Sequence, residues 1–149
     1  MILEGDVLDK LSEIPPKSVQ MVCTSPPYWG LRDYEMDDQF GLEPTPEEFV
    51  VKLVAVFRGI SRILKKNGTV WLNLGDSYAN TGVFGKPNEQ VKVGTRNLAY
   101  GRAPTPPGMK AKNLIGIPWK VAFALQRDGW YLRQDIIWNK PNAMPEAVT

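Results

Sequence analysis

The chain has 149 residues, 43% of them hydrophobic, and a net charge of +2, a composition that suits one globular domain with a core rather than a disordered tail. No apolar run approaches the roughly 20 residues of a membrane span, and the stretch from Met1 to Asp6 lacks the basic-then-apolar layout of a signal peptide, so a cytoplasmic protein is expected. A single cysteine, Cys23, and no histidine leave no internal disulfide, none of the usual zinc sets and no histidine-based triad.

In chain order, Met1–Leu3 reads as a short strand that ends at Gly5-Asp6. A helix follows, with Val7, Leu8, Leu11 and Ile14 at helical spacing, and Pro15-Pro16 stops it. Val19–Thr24 is a compact apolar run bounded by prolines, the pattern of a strand buried on both faces. Thr45-Pro46-Glu47-Glu48 supplies an N-cap, a proline in the first turn and a capping-box glutamate. Phe49, Leu53, Phe57, Ile60 and Leu64 then form one helical stripe that Asn67-Gly68 ends. Thr69–Leu74 reads as a second strand, with Gly75-Asp76 at its end. Strand, crossover helix and strand predict a parallel α/β sheet. Pro118–Gln126 fits a short helix closed by Asp128-Gly129, and Trp130–Trp138 alternates like a strand.

Between the second strand and the last helix, residues 77–113 hold five glycines and four prolines without a sustained period. A connection this long is usually functional or disordered. It carries six basic residues, Lys86, Lys92, Arg96, Arg102, Lys110 and Lys112, against the single acid Glu89. Tyr78, Phe84 and Tyr100 lie among them, a composition suited to contacting phosphates. A solvated insertion is the alternative.

The chemistry-bearing segment is Ser25-Pro26-Pro27-Tyr28, at the carboxyl end of a strand, where open parallel sheets place their ligands. Two prolines fix φ and offer only acceptor carbonyls, while Ser25 adds a hydroxyl and Tyr28 an aromatic face. Those groups meet the needs of an exocyclic base amine, whose lone pair is delocalised into its ring. Acceptors on its protons, here Ser25 and the Pro26 carbonyl, favour a more tetrahedral and reactive nitrogen.

Thr24-Ser25-Pro26-Pro27-Tyr28-Trp29 resembles the catalytic motif of amino-methylating DNA methyltransferases, (Asp/Asn/Ser)-Pro-Pro-(Tyr/Phe/Trp). Leu3-Glu4-Gly5-Asp6, Leu64-Lys65-Lys66-Asn67-Gly68-Thr69 and Asp135-Ile136-Ile137-Trp138-Asn139-Lys140-Pro141 agree in order with the permuted β-type arrangement of that family. The resemblance spans essentially the whole chain. It implies part of a Rossmann-like S-adenosylmethionine-dependent methyltransferase fold, an incomplete three-layer α/β sheet, in a prokaryotic or phage-type cytoplasmic setting. The Phe-x-Gly-x-Gly-like cofactor turn expected downstream does not occur in this sequence. Residues 1–149 are therefore expected to form a partial catalytic domain, completed by a homo-oligomer or a complementary chain.

The resemblance further implies S-adenosylmethionine as cofactor, with Asp6 at its adenine, and double-stranded DNA as partner. The target base is flipped out and stacked on Tyr28, with Ser25, Pro26, Pro27 and Tyr28 as the catalytic set. Serine at position 25 is more frequent among the cytosine-N4 members, and adenine N6 is the alternative. A non-catalytic DNA-binding fragment or one half of a split enzyme stands beside both.

Several residues have a plainer role open to them. Asp6 fits an N-cap for the helix at Val7. Asp76 and Asn73 either line the base pocket or close a turn. Cys23 is expected as a buried structural thiol. Asp33, Glu35, Asp37 and Asp38 are expected as solvated charge, with no metal. Trp71, Trp119, Trp130 and Trp138 are expected in the core, and Trp29 is the exception, a candidate for stacking on a base. Lys86, Lys92, Arg96 and Arg102 are the candidate phosphate contacts.

Overall fold

In a computed structural model of the chain, residues 2–30, 36, 38–79 and 105–142 are described. Their elements run α1 (Val7–Glu13), β1 (Val19–Thr24), α2 (Pro46–Ile63), β2 (Leu64–Leu72) and α3 (Ile117–Arg127). β1 and β2 pair in parallel, with Cys23 opposite Trp71 and Thr24 opposite Leu72. The predicted α/β order therefore holds. The second strand begins and ends earlier than its pattern suggested, and the pairing shifts register between Val19 and Met21 of β1, which face Leu64 and Thr69, so that Lys65 to Gly68 form the extra length on β2.

α2 forms for the reasons its sequence states. The Thr45 hydroxyl accepts from the Glu48 N–H at 3.2 Å and meets its carboxylate at 3.0 Å, and Pro46 sits in the first turn, where no intrahelical partner is needed. Its stripe divides between two cores. Val56, Phe57 and Ile60 pack with Val19, Val22 and Val70 of the sheet. Phe49, Val50 and Leu53 pack with Trp29, Ile115, Ile117 and Val121. The Trp130 ring meets Phe57 edge-on at 6.0 Å between centroids, and Arg58 pairs with Asp128 across α2 and α3. That pairing raises the Arg58 pKa, chiefly through the hydrogen bond from its guanidinium.

Four expectations change. Residues 2–4 are not a strand, and Asp6 instead caps α1. β1 is covered on one face only. Val22 packs toward α2, while Met21 is 56% exposed and Cys23 is an exposed free thiol rather than a buried one, because no described segment lies over that face. Trp130–Trp138 forms no paired strand, and residues 131–140 are exposed throughout. Of the tryptophans expected in the core, Trp71, Trp119 and Trp138 are at least 47% exposed. Periodicity located a face for each of them, but no described segment covers it.

Candidate base-binding site at the strand ends

The ladder between β1 and β2 continues one step past the strands, where the Asn73 N–H donates to the Thr24 carbonyl at 2.9 Å. Ser25-Pro26-Pro27-Tyr28 therefore leaves the sheet beside Leu74-Gly75-Asp76-Ser77. The Tyr28 ring rests on Gly75, so closely that a Cβ built there would lie 2.7 Å from Cδ2 and Cε2. Ser25 stays exposed, and its hydroxyl faces the Tyr28 hydroxyl at 3.4 Å, a long contact that leaves it available to another partner. Pro26, Pro27 and Tyr28 are half-buried.

Trp29 sits differently from its expected role. It is 1% exposed, its indole N–H donates to the Glu43 carbonyl at 2.9 Å, and it packs with Phe49 and Ile117. The ring is a core peg, with no free face for a base. Burial of a large aromatic next to Tyr28 fixes the motif to the fold. The return of this loop adds further ties. Gly30 donates to the Gly41 carbonyl at 2.7 Å, and Gly41 donates to Glu43 Oε2 at 2.9 Å. Gly41 holds φ +97°, and a Cβ there would meet the Tyr28 carbonyl at 2.8 Å, so glycine is needed on both counts. Glu43 is 5% exposed. Its Oε1 has no angularly sound hydrogen bond but lies 3.3 Å from Lys52 Nζ, so its charge is compensated by an ion pair.

Asp76 lies past the end of β2 and closes no turn there, and its partners are ones its neighbours did not predict. Its carboxylate accepts from Ser77 N, Gly116 N and Ile117 N. Gly116 caps α3 without a side chain of its own, so Asp76 supplies the cap from forty residues away. A glycine cap before Ile117-Pro118 was the sequence signal for a missing acceptor. The roles of Gly75, Ser77 and Glu43 had no such signal. Asn73 is exposed at the same strand end.

The two ends of the basic segment are joined beside this site. Ala79 donates to the Asn113 carbonyl at 2.8 Å, Lys112 to the Ala79 carbonyl at 2.7 Å and Ile115 to the Ser77 carbonyl at 2.9 Å, with Tyr78 and Leu114 bridged. Lys86, Lys92, Arg96 and Arg102 lie outside the described residues, as do Asp33, Glu35 and Asp37. The Asp6 carboxylate makes local bonds, to Leu8 N at 2.8 Å and Asp9 N at 3.4 Å, and none to the Ser25–Tyr28 segment. A cleft of about 520 Å³ between α2 and α3 is lined by Glu47, Val54, Arg58, Lys120 and Phe123 among others, and by no motif residue.

With this arrangement in place, comparison with known proteins decides the family. The DNA methylase family of the N6/N4 type matches residues 19–149. The chain belongs to that family. Relatives of this chain include the type II methyltransferase M.Cfr9I of Citrobacter freundii, 52% identical over 99% of this chain and 48% of its own length, and M.XycI of Xanthomonas campestris pv. cyanopsidis, 53% identical with the same coverage. M.SmaI of Serratia marcescens is 49% identical over 99% of this chain and 50% of its own length. The methylase-family chain thus spans about half the length of these curated relatives. A crystal structure described as a DNA modification methylase of Thermus thermophilus aligns with 97% of it and 48% of that chain, at a TM-score of 0.57 and 22% identity, which fits the Rossmann-like fold.

Proposed function

We propose that this chain carries the target-base side of a methyltransferase that moves a methyl group from S-adenosylmethionine to the exocyclic amine of a flipped base in double-stranded DNA. Cytosine N4 is favoured over adenine N6. The observation that carries this is the placement of Tyr28 on Gly75, with an exposed Ser25 beside it at the paired ends of two parallel strands. Tyr28 offers its face to the base, and the Ser25 hydroxyl and Pro26 carbonyl accept from the amine. With a fourth bond to the methyl carbon the nitrogen would carry positive charge, its N–H groups would be bound more strongly by those acceptors, and one proton would then be released to solvent. Stacking plus acceptor contacts is a recurring way of holding an extruded base.

Asp6 is the proposed cofactor residue. Its Oδ1 takes both capping bonds, which leaves Oδ2 as an acceptor for the adenosine portion, so the donor chemistry fits. When bound, the cofactor supplies an electrophilic methyl on sulfonium. The basic segment with Lys86, Lys92, Arg96 and Arg102 is proposed to contact phosphates, which would make DNA affinity fall with salt. This chemistry belongs in the cytoplasm, where DNA and cofactor meet.

Half of a split or oligomer-completed enzyme is the second reading. It is favoured by the open sheet face of Met21 and Trp71 and by Ile136, Ile137 and Trp138, which are 49–77% exposed, more apolar surface than an isolated chain usually leaves uncovered. Calorimetric titration with S-adenosylmethionine, with and without duplex DNA, tests the proposal together with transfer of a radiolabelled methyl group and analysis of the modified base. The expected product is N4-methylcytosine, lost on Tyr28→Ala. Activity that survives Tyr28→Ala overturns the role of the ring. Activity that arises only on mixing with a segment carrying the glycine-rich turn shows that these residues need a complementary segment to act.

A further inference from the structure

Asp76 is surrounded by the groups that hold Tyr28. On one side Gly75 lies beneath the Tyr28 ring. On the other, the Ser77 hydroxyl donates to the Trp29 carbonyl at 3.1 Å. Between them the Asp76 carboxylate binds Ser77 N at 2.8 Å and Gly116 N and Ile117 N at 3.0 Å. The second oxygen also reaches Gly116 N at 3.0 Å. α3 is itself immobilised, since Ile117 and Val121 are 0% exposed and share a cluster with Trp29.

We infer that Asp76 is a positioning residue for Tyr28. It binds the first N–H groups of α3 and so presses the Gly75–Ser77 strip onto the core, and that strip sets the tilt of the ring. An anion suits the place, because several N–H groups converge there and the helix N-terminus carries partial positive charge. Both oxygens are engaged, which makes a direct contact with a base the poorer role. The same bonds tie Ser77 to Gly116, from which the Ala79–Asn113 and Lys112–Ala79 bonds continue outward. The two ends of the basic segment therefore start from the site that Asp76 fixes. The value of this placement for catalysis rests on the proposed function, but the placement itself does not.

Fluorine NMR of the full chain labelled with fluorotyrosine tests the inference without requiring activity. The Tyr28 resonance is assigned by its loss in Tyr28→Phe, and Tyr131, 86% exposed, serves as the remote reference. Asp76→Ala is expected to shift and broaden the Tyr28 line several-fold more than the Tyr131 line. Asp76→Asn, which keeps one acceptor oxygen, is expected to restore most of the original position. A Tyr28 line unmoved in Asp76→Ala, or Tyr28 and Tyr131 lines that change together, overturns the inference. If Asp76→Ala does not fold, Asp76→Ser, which keeps a small polar side chain but is too short to bind Gly116 N and Ile117 N together, decides: a shift confined to Tyr28 supports the inference and an unmoved Tyr28 line overturns it. Methyl transfer by the unsubstituted protein is assayed separately, so a failure of the proposed activity is not mistaken for a failure of the clamp.

Discussion

The Tyr28 ring lies on Gly75, with no room for a Cβ between them: one built at position 75 would be 2.7 Å from two ring carbons. Those carbons belong to the body of the ring, so the whole side chain has to swing to make space. Gly75→Ala is therefore expected to lower methyl transfer by the completed enzyme on the order of 100-fold, the scale that follows misplacement of a reacting group by about 1 Å. Thermal unfolding should be little changed. Wild-type turnover in Gly75→Ala would show that the ring orientation is unimportant.

Trp29 governs stability rather than base contact. It is 1% exposed and bonded to the Glu43 carbonyl, so Trp29→Ala should cost about 3–5 kcal/mol. Trp29→Phe keeps most of the volume and leaves the Glu43 carbonyl without its donor, a cost of about 1–3 kcal/mol. Urea denaturation with fluorescence or circular dichroism measures both.

The Glu43–Lys52 pair behaves unlike an ordinary surface pair, because the Glu43 side chain is 1% exposed while Lys52 is 46% exposed. Removal of the ammonium strands a buried oxygen that has no hydrogen bond of its own. Lys52→Met should destabilise the fold by about 1–3 kcal/mol, and Lys52→Met combined with Glu43→Gln by less, a non-additivity that a double-mutant cycle reads out.

Glu47 accepts from Lys120 Nζ at 2.8 Å, and this hydrogen bond is the first cause that lowers its pKa. A depressed folded-state value means that the contribution is fully present above the unfolded glutamate pKa and is lost as pH falls through the lowered folded value. NMR titration should find Glu47 below the ordinary glutamate range and returned to it in Lys120→Met. The Lys120 and Glu47 side chains are 36% and 64% exposed, so screening holds the effect on stability to about 0–1 kcal/mol.

Asp6 can be split between its two roles. Asp6→Ala loses the cap of α1 and should cost about 1 kcal/mol, whereas Asp6→Asn keeps the cap and loses the charge. A fall in S-adenosylmethionine affinity in Asp6→Asn, at unchanged melting temperature, is the expected sign of a cofactor role. Equal affinity in both proteins would leave Asp6 as a cap only.

Much of this protein was legible in its residues. Thr45-Pro46-x-Glu48 and the stripe after it specified α2, because capping and helical periodicity act within one or two turns. Val19–Thr24 specified a strand, and that strand carries Ser25-Pro26-Pro27-Tyr28 to its carboxyl end. The tertiary structure decided which surfaces are covered. Trp138 was expected in the core and Trp29 on a base, yet Trp29 is buried among α2 and α3 and Trp138 is 74% exposed. The bonds from Asp76 to Gly116 and Ile117 likewise join residues that no local pattern relates. Capping, turns and periodicity are short-range and are written along the chain. Burial and the meeting of distant backbone groups depend on which segments pack together, and only the folded chain sets that.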